Sequence, residues 1–161
     1  MKKALVLGAS GATGRLLVKI LLQKGVNVVA LVRNAESFND LENNNIGLDV
    51  KEANISDIPE ADLANLLKGC DVIFSCLGHN LTFKGIYGKP RRLVTDAVIK
   101  VTKAIQLNET SNKIKIILMN TTGNSNRDVP ERPHTSQRVV VSLLRLLLPP
   151  HLDNENAADY L

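Results

Sequence analysis

The sequence contains few aromatic residues and no excess of one charge. Of its 161 residues, 3% are aromatic and none is Trp, which disfavours a stacking surface for single-stranded nucleic acid. Twenty Lys and Arg against sixteen Asp and Glu give a formal charge of +4. The basic residues are scattered, so a solvated surface explains them better than nucleic acid binding does. We therefore expect no nucleic acid partner.

Cysteine is also scarce. Cys70 and Cys76 are the two cysteines of the chain, too few for a disulfide framework and without the spacing of metal ligands. We expect two reduced thiols in or beside a buried strand, with a reactive thiol as the alternative. No metal site is expected.

Long hydrophobic runs are missing. The run from Val139 to Leu148 contains Ser142 and Arg145 and ends at two prolines, so it is too short to span a bilayer. The first six residues resemble the start of a signal peptide, but the glycines from Gly8 onward interrupt the apolar stretch. We expect a cytoplasmic protein without a membrane partner.

Short apolar segments alternate with segments of helical period along the chain. Ala4 to Leu7 is uninterrupted and apolar, as is typical of a parallel strand buried on both faces. Ser56 or Asp57 can cap one of the helices and Asp153 a short final one. The predicted strands cover residues 4–7, 26–32, 46–50, 72–77 and 114–119, and the main helices cover residues 13–24, 61–68, 94–105 and 137–148.

This alternation predicts a fold of the α/β class. Strands joined by helices form βαβ units with right-handed crossovers and a parallel sheet. We expect a doubly wound, Rossmann-like sheet of five strands in the order 3-2-1-4-5, in a single domain over residues 1–161. Because the sequence stops at Leu161 inside a predicted helix, we expect the chain to be truncated before a sixth strand and a substrate lobe, with a short natural protein as the alternative.

The most informative segment is Gly8-Ala-Ser10-Gly11-Ala12-Thr13-Gly14, between the first strand and the first helix. The first glycine allows a tight turn, the second lets backbone approach a pyrophosphate, and the third lets the helix pack closely on the sheet. The N–H groups near Ala12 and Thr13 would then face an anion at the positive end of the helix. The segment predicts a dinucleotide site, with a purely structural turn as the alternative.

Arg33 follows the second predicted strand, where a carboxylate would favour NAD by binding the adenosine ribose hydroxyls. An arginine offers a planar set of donors to a 2′-phosphate instead. We therefore expect NADP as the cofactor, with NAD as the alternative. A solvated arginine without a ligand is a third interpretation.

These motifs together resemble the atypical short-chain dehydrogenase/reductase superfamily, in its NAD(P)H-binding, NmrA-like branch. The matching segments, which lie in the same order over most of residues 1–125, are residues 8–14, 31–34, 53–57, 70–78 and 116–123. The resemblance implies that Asn54 and Ile55 flank the adenine, although the family usually has Asp where Asn54 stands. An ordinary turn residue is the alternative for Asn54. The resemblance also implies that Leu77, Gly78 and His79 pass the middle of the cofactor.

The usual catalyst of the superfamily, a Tyr-x-x-x-Lys pair, is absent. Tyr87 has Arg91 four residues later, and Tyr160 is followed only by Leu161. Family members place a Ser or Thr facing the nicotinamide after the fifth strand, and Thr121 and Thr122 occupy that place here. Either hydroxyl could bind a carboxamide or a substrate carbonyl, or simply satisfy loop backbone.

Two histidines, His79 and His134, lie in loops expected at the carboxyl ends of the strands, where ligands bind. Each of them could act as an acid or base, or it could be an ordinary surface histidine. The leading prediction is an NADP(H)-dependent oxidoreductase for a small carbonyl, quinone or flavin-like acceptor. The main alternative is a non-catalytic NADP(H) sensor, and sugar-nucleotide epimerisation is a third. The particular small-molecule substrate and the oligomeric state are open at this point.

Overall fold

The computed structural model describes residues 2–42, 45–79, 82, 87–108, 113–120 and 134–161. They form two compact units. Unit 1 comprises Met1–Leu77 and Ile99–Met119, and unit 2 comprises Gly78–Val98 and Asn120–Leu161. The two units are described separately below.

A five-stranded parallel sheet forms the centre of unit 1. Its strands are β1 (Lys3–Leu7), β2 (Asn27–Val32), β3 (Leu48–Glu52), β4 (Val72–Ser75) and β5 (Lys115–Leu118). They pair in the order β3-β2-β1-β4-β5. The predicted α/β class, parallel sheet and strand order are therefore confirmed.

Burial along the strands follows their place in the sheet. In the central strand β1, Ala4 to Leu7 are at most 1% exposed, because strands pair on both sides and side chains cover both faces. Leu7 lies opposite Leu31 of β2 and Ser75 of β4. The carboxyl ends of these three parallel strands thus meet at one edge of the sheet.

The helices follow the predicted pattern with shifted ends. They are α1 (Ala12–Gln23), α2 (Asn39–Glu42), α3 (Glu60–Leu66), α4 (Leu93–Leu107), α5 (Thr135–Leu147) and α6 (Pro149–Tyr160), with a 3-10 turn at Ala35–Phe38. The cap predicted for α3 at Ser56 or Asp57 is wrong, because Pro59 holds the cap position and no side chain bonds there.

The cap predicted at Asp153 is also wrong. The final helix α6 begins at Pro149, since proline needs no N–H partner in the first turn and its fixed φ suits a helix start. Asp153 therefore lies inside α6.

The core of unit 1 packs α1 and the turn after β2 against one face of the sheet. Its fully buried members include Val6, Val18, Val28 and Phe38. Leu21 and Leu22 of α1 pack against this cluster and are partly buried. The amphipathic pattern of α1 therefore fixes the orientation of the helix whose first turn follows the glycine segment.

Helix α5 exposes several apolar side chains, among them Leu146, which is 78% exposed. Across the described ranges, no helix is both long and apolar enough to cross a membrane.

Candidate functional site

The turn after β1 is built around a glycine in the left-handed region. Gly8 has φ +69°, and a Cβ placed on it would lie 2.7 Å from the carbonyl oxygen of Cys76. The backbone just after β4 thus passes directly beside the turn. Any side chain at position 8 meets both a conformational penalty and a backbone obstacle.

A side chain at position 14 is also excluded by steric overlap. A Cβ there would overlap the carbonyl oxygen of Gly8 and lie 2.9 Å from Cα of Ala9. The turn is closed by two hydrogen bonds, from Gly11 N–H to the Gly8 carbonyl at 3.0 Å and from Arg15 N–H to the Gly11 carbonyl at 2.8 Å. The missing side chain at Gly14 therefore lets α1 start directly against the turn.

The start of α1 is exposed and has no side-chain cap. Gly11 is the N-cap residue, and no side chain caps the helix. Ser10, Gly11, Ala12 and Thr13 are all exposed. An uncapped helix start with exposed small residues is a suitable anion site, because its N–H groups and the helix dipole both favour negative charge.

Arg33 is the first residue after β2 and is exposed. Within the described ranges it takes part in no hydrogen bond or ion pair. The residues after it are held in place: Asn34 Oδ1 accepts from Glu36 N–H at 2.9 Å, and a Glu52 carboxylate oxygen accepts from Ala35 N–H at 2.7 Å. The Arg33 guanidinium thus has no partner among the described residues, and the turn that follows it is fixed by hydrogen bonds.

Arg15, in the first turn of α1, is committed to other partners. Its guanidinium donates to the Ser37 carbonyl and to the Asp40 carboxylate and lies over the Phe38 ring, 5.1 Å from its centroid. The hydrogen bond from Arg15 lowers the pKa of Asp40. These contacts connect α1 to the segment that follows Arg33.

The residues expected around the adenine lie after β3. Asn54 Oδ1 accepts from Ser56 N–H at 3.2 Å, and its Nδ2 donates to Asp57 at 2.7 Å. This is the geometry of a turn residue, which was the alternative interpretation of Asn54. Ile55 is 6% exposed and Leu77 is half-buried.

A pocket of about 500 Å³ lies beside the end of β3. Asn54, Asp57 and Asp62 are among its lining residues, but the glycine segment, Arg33 and Ile55 are not. The pocket therefore gives no independent support for an adenine site, whose proposed residues rest on the family resemblance.

Unit 2 contains the other predicted residues that the structure describes. Among the described residues, no atom lies within 4 Å of a Cβ placed on Gly78. The His79 ring is 6% exposed and its Nε2 lies 2.9 Å from Asp153 Oδ2. His79 is therefore not a surface histidine. Thr121 and Thr122 lie outside the described residues.

Asp153 and Tyr87 of unit 2 make contacts that the sequence alone does not predict. Asp153 accepts hydrogen bonds from the start of α4 as well as lying beside His79, and no local pattern predicts a partner 74 residues away. Tyr87 donates its hydroxyl to the Leu147 carbonyl at 3.0 Å. His134, in contrast, is exposed and contacts Ser136.

Both cysteines are free thiols, as predicted; Cys70 is buried and Cys76 partly buried. Burial raises the pKa of each thiol. A raised pKa leaves less thiolate at neutral pH, which favours the interpretation of structural thiols over that of a reactive one.

The chain belongs to the NAD(P)H-binding family, whose family model matches residues 8–161. The resemblance inferred from the glycine segment and the later motifs is thereby confirmed. No curated protein matches the sequence significantly.

Three solved structures illustrate the shared fold. The oxidoreductase ylbE from Lactococcus lactis aligns with a TM-score of 0.66 at 18% identity, over 98% of this chain and 62% of that one. UDP-glucuronic acid 4-epimerase from Bacillus cereus, solved with UDP-glucuronic acid and NAD, gives 0.68 at 19%, over 98% and 50%. A candidate NADH-flavin reductase from Streptococcus pneumoniae gives 0.59 at 16%, over 99% and 65%. This chain thus spans less than two thirds of each of these structures.

Proposed function

We propose that this protein is an NADP(H)-dependent oxidoreductase that reduces a small carbonyl, quinone or flavin-like acceptor. The observation that carries the proposal is the glycine segment of an NAD(P)H-binding family member, in which Gly8 and Gly14 have no room for a side chain and α1 starts without a cap. A bound reduced nicotinamide would supply the hydride.

The residues of the glycine segment would bind the diphosphate of the cofactor. Ala12 and Thr13 are exposed residues at a helix start without a side-chain cap, so their N–H groups can donate to phosphate oxygens, and the bare Cα of Gly11 leaves space for them. Further along the cofactor, Leu77, Gly78 and His79 remain the residues proposed to pass its middle.

NADP is the proposed form of the cofactor because of Arg33. Its guanidinium is exposed and has no partner among the described residues, so binding a 2′-phosphate would break no existing ion pair. The end of β2 has Arg33 where a carboxylate would bind the ribose hydroxyls, and the Glu52 carboxylate of the neighbouring strand accepts from Ala35 N–H instead. Asn54 and Ile55 remain the proposed adenine neighbours on the family resemblance.

The competing function is that of a non-catalytic NADP(H) sensor. It is favoured by Tyr87, which has Arg91 rather than Lys four residues later and whose hydroxyl donates to the Leu147 carbonyl. Binding and turnover separate the two functions, since both require the cofactor but only the enzyme consumes it.

The test combines calorimetry with a turnover assay on the full chain. Calorimetry with NADPH and NADH should show saturable binding that is tighter for NADPH. Oxidation of NADPH is then followed by the loss of dihydronicotinamide absorbance with menadione, flavin mononucleotide or 4-nitrobenzaldehyde as the acceptor. Turnover with one of them supports the enzyme, whereas tight binding without turnover of any supports the sensor. No binding of either nucleotide contradicts both functions.

A further inference from the structure

The position of Arg33 is not fixed by the sheet alone. The pairing of β2 with β3 ends at Val32 and Glu52, and Arg33 is the first residue beyond the strand. Its place therefore depends on residues 34–40, which contain the 3-10 turn and the start of α2. Residues 34–40 are called the post-β2 segment below.

One side of the post-β2 segment is bound to the sheet. A carboxylate oxygen of Glu52 accepts from Ala35 N–H at 2.7 Å. The Phe38 side chain is fully buried in the core cluster that contains Val18 and Val28. These contacts hold the segment against the sheet, but they do not connect it to the glycine turn.

That connection is made by Arg15 of α1. Its guanidinium donates to the Ser37 carbonyl and to the Asp40 carboxylate and lies 5.1 Å from the centroid of the Phe38 ring. A guanidinium has donors in fixed directions, so it holds two acceptors in one arrangement. The backbone N–H of Arg15 donates to the Gly11 carbonyl at 2.8 Å. A single residue thus bonds both to the glycine turn and to the post-β2 segment.

The separation of these two parts matters for NADP but not for NAD. NADP carries its diphosphate and its 2′-phosphate on the same ribose, so a protein that binds both must hold two sets of donors at a matching separation. Donors that are held in advance bind more tightly than donors that must be ordered on binding. NAD lacks the 2′-phosphate, and its binding does not require this match.

Resting on the proposed function, we propose that Arg15 is a positioning residue for the choice of cofactor, which holds the post-β2 segment beside the start of α1 and so sets Arg33 for the 2′-phosphate of NADP. Arg15 does not bind the phosphate itself, because its guanidinium is bonded to Ser37 and Asp40. Arg15 and Asp40 are both partly exposed, and an ion pair of this kind adds little to stability. Its main effect is therefore on the placement of the segment.

The substitution Arg15→Met removes both side-chain hydrogen bonds and keeps an unbranched side chain that suits a helix. Calorimetry on the full chain then gives the Kd for NADPH and for NADH. We expect NADPH to bind about three- to tenfold more weakly, the range typical of coupled neighbouring residues. The Kd for NADH should stay within about twofold, because no contact with NADH is lost.

Lys19→Met is the matched control. Lys19 is exposed on the same helix, and its charge also lowers the pKa of Asp40. The variant therefore removes the same charge from the same neighbourhood without removing the hydrogen bonds of Arg15. It should change the ratio of the two Kd values by less than about twofold, as expected for a screened surface charge.

A double-mutant cycle with Arg33→Ala separates positioning from a direct effect of the Arg15 charge. If Arg15 acts through Arg33, Arg15→Met should weaken NADPH no further in the Arg33→Ala chain. A contact of Arg15 with the phosphate, or an effect of its charge at a distance, would weaken NADPH equally with and without Arg33.

A second measurement needs no cofactor. Amide hydrogen exchange of the ¹⁵N-labelled full chain reports how firmly the post-β2 segment is held, through the hydrogen-bonded N–H groups of Ala35 and Glu36. Both should exchange faster in Arg15→Met than in wild type, whereas the amides of β2 should be unchanged.

Four results overturn the inference. They are an unchanged ratio of the two Kd values in Arg15→Met, an equal loss in Lys19→Met, a full effect of Arg15→Met in the Arg33→Ala chain, and unchanged exchange at Ala35 and Glu36. Failure of the proposed function is detected separately, in wild type and Arg33→Ala alone. A wild type that does not prefer NADPH, or an Arg33→Ala chain that keeps the preference, contradicts the NADP site and this inference with it.

Discussion

Alanine substitutions in the glycine segment test the local structure on which the site depends. Gly8 and Gly25 share a left-handed backbone, with φ +69° and +71°, but differ in their surroundings. A Cβ on Gly8 would lie 2.7 Å from the Cys76 carbonyl oxygen, whereas one on Gly25 would meet no atom within 4 Å. The pair therefore separates backbone strain from steric overlap.

The expected magnitudes follow from these two terms. Gly25→Ala should cost about 1–2 kcal/mol of unfolding free energy, the cost of a left-handed alanine. Gly8→Ala adds an overlap with backbone that cannot rotate away, so it should cost about 2–5 kcal/mol. In Gly14→Ala the steric overlap is the one destabilising term, and it is partly offset by the roughly 1 kcal/mol by which alanine favours a helix over glycine. We expect a net loss of about 1–2 kcal/mol of unfolding free energy.

Urea unfolding followed by circular dichroism measures all three variants. The urea midpoint of Gly25→Ala should lie below that of wild type, and the midpoint of Gly8→Ala should be lower still. The slope of each transition should be unchanged. NADPH binding should be lost or strongly weakened in Gly8→Ala and Gly14→Ala but retained in Gly25→Ala. If Gly8→Ala is no less stable than Gly25→Ala, the close approach of the Cys76 backbone to the turn is refuted.

Three further predictions concern charges and thiols. Arg33→Ala should weaken NADPH about tenfold in calorimetry, or about 1.4 kcal/mol, and leave NADH nearly unchanged; equal weakening would contradict a 2′-phosphate contact. Because burial raises the pKa of Cys70 and Cys76, iodoacetamide should alkylate both more slowly in the native protein than in urea, and equal rates would contradict this. Arg15 lowers the pKa of Asp40 in the folded protein. Wild type should therefore be more stable than Asp40→Asn above the pKa of an unfolded aspartate, about 3.9, and this difference in unfolding free energy should disappear as the pH falls through the lower pKa of the folded state. A difference that acid leaves unchanged would contradict the pairing.

The sheet could be predicted from the sequence because its central strands have a local signature. Ala4 to Leu7 are apolar without interruption and end at a glycine, so burial on both faces can be read directly. The edge strand β3 was displaced, predicted at 46–50 and found at Leu48–Glu52. An edge strand such as β3 can be exposed on one face, so a hydrophobic residue does not mark where it begins. Ile46, taken as the first residue of the strand, is fully exposed.

The site could be predicted only where it is local in sequence. The glycine segment is one continuous motif, and the spacing of its glycines already indicates the turn and helix start that the structure shows. The environment of His79 is a tertiary property. Its partner Asp153 lies 74 residues away. Asp153 has the local pattern of a helix cap, but it lies inside α6 and accepts from backbone N–H groups at the start of α4 instead.

The central claim is that backbone N–H groups at the start of α1 receive the diphosphate of NADPH. The most direct measurement is a titration of the ¹⁵N-labelled full chain with NADPH, followed by amide resonances in two-dimensional NMR. The account predicts saturable shifts of the Ala12 and Thr13 amides, absent in Gly14→Ala. Saturable binding that leaves these two amides unmoved, or no shift at millimolar NADPH, would contradict it.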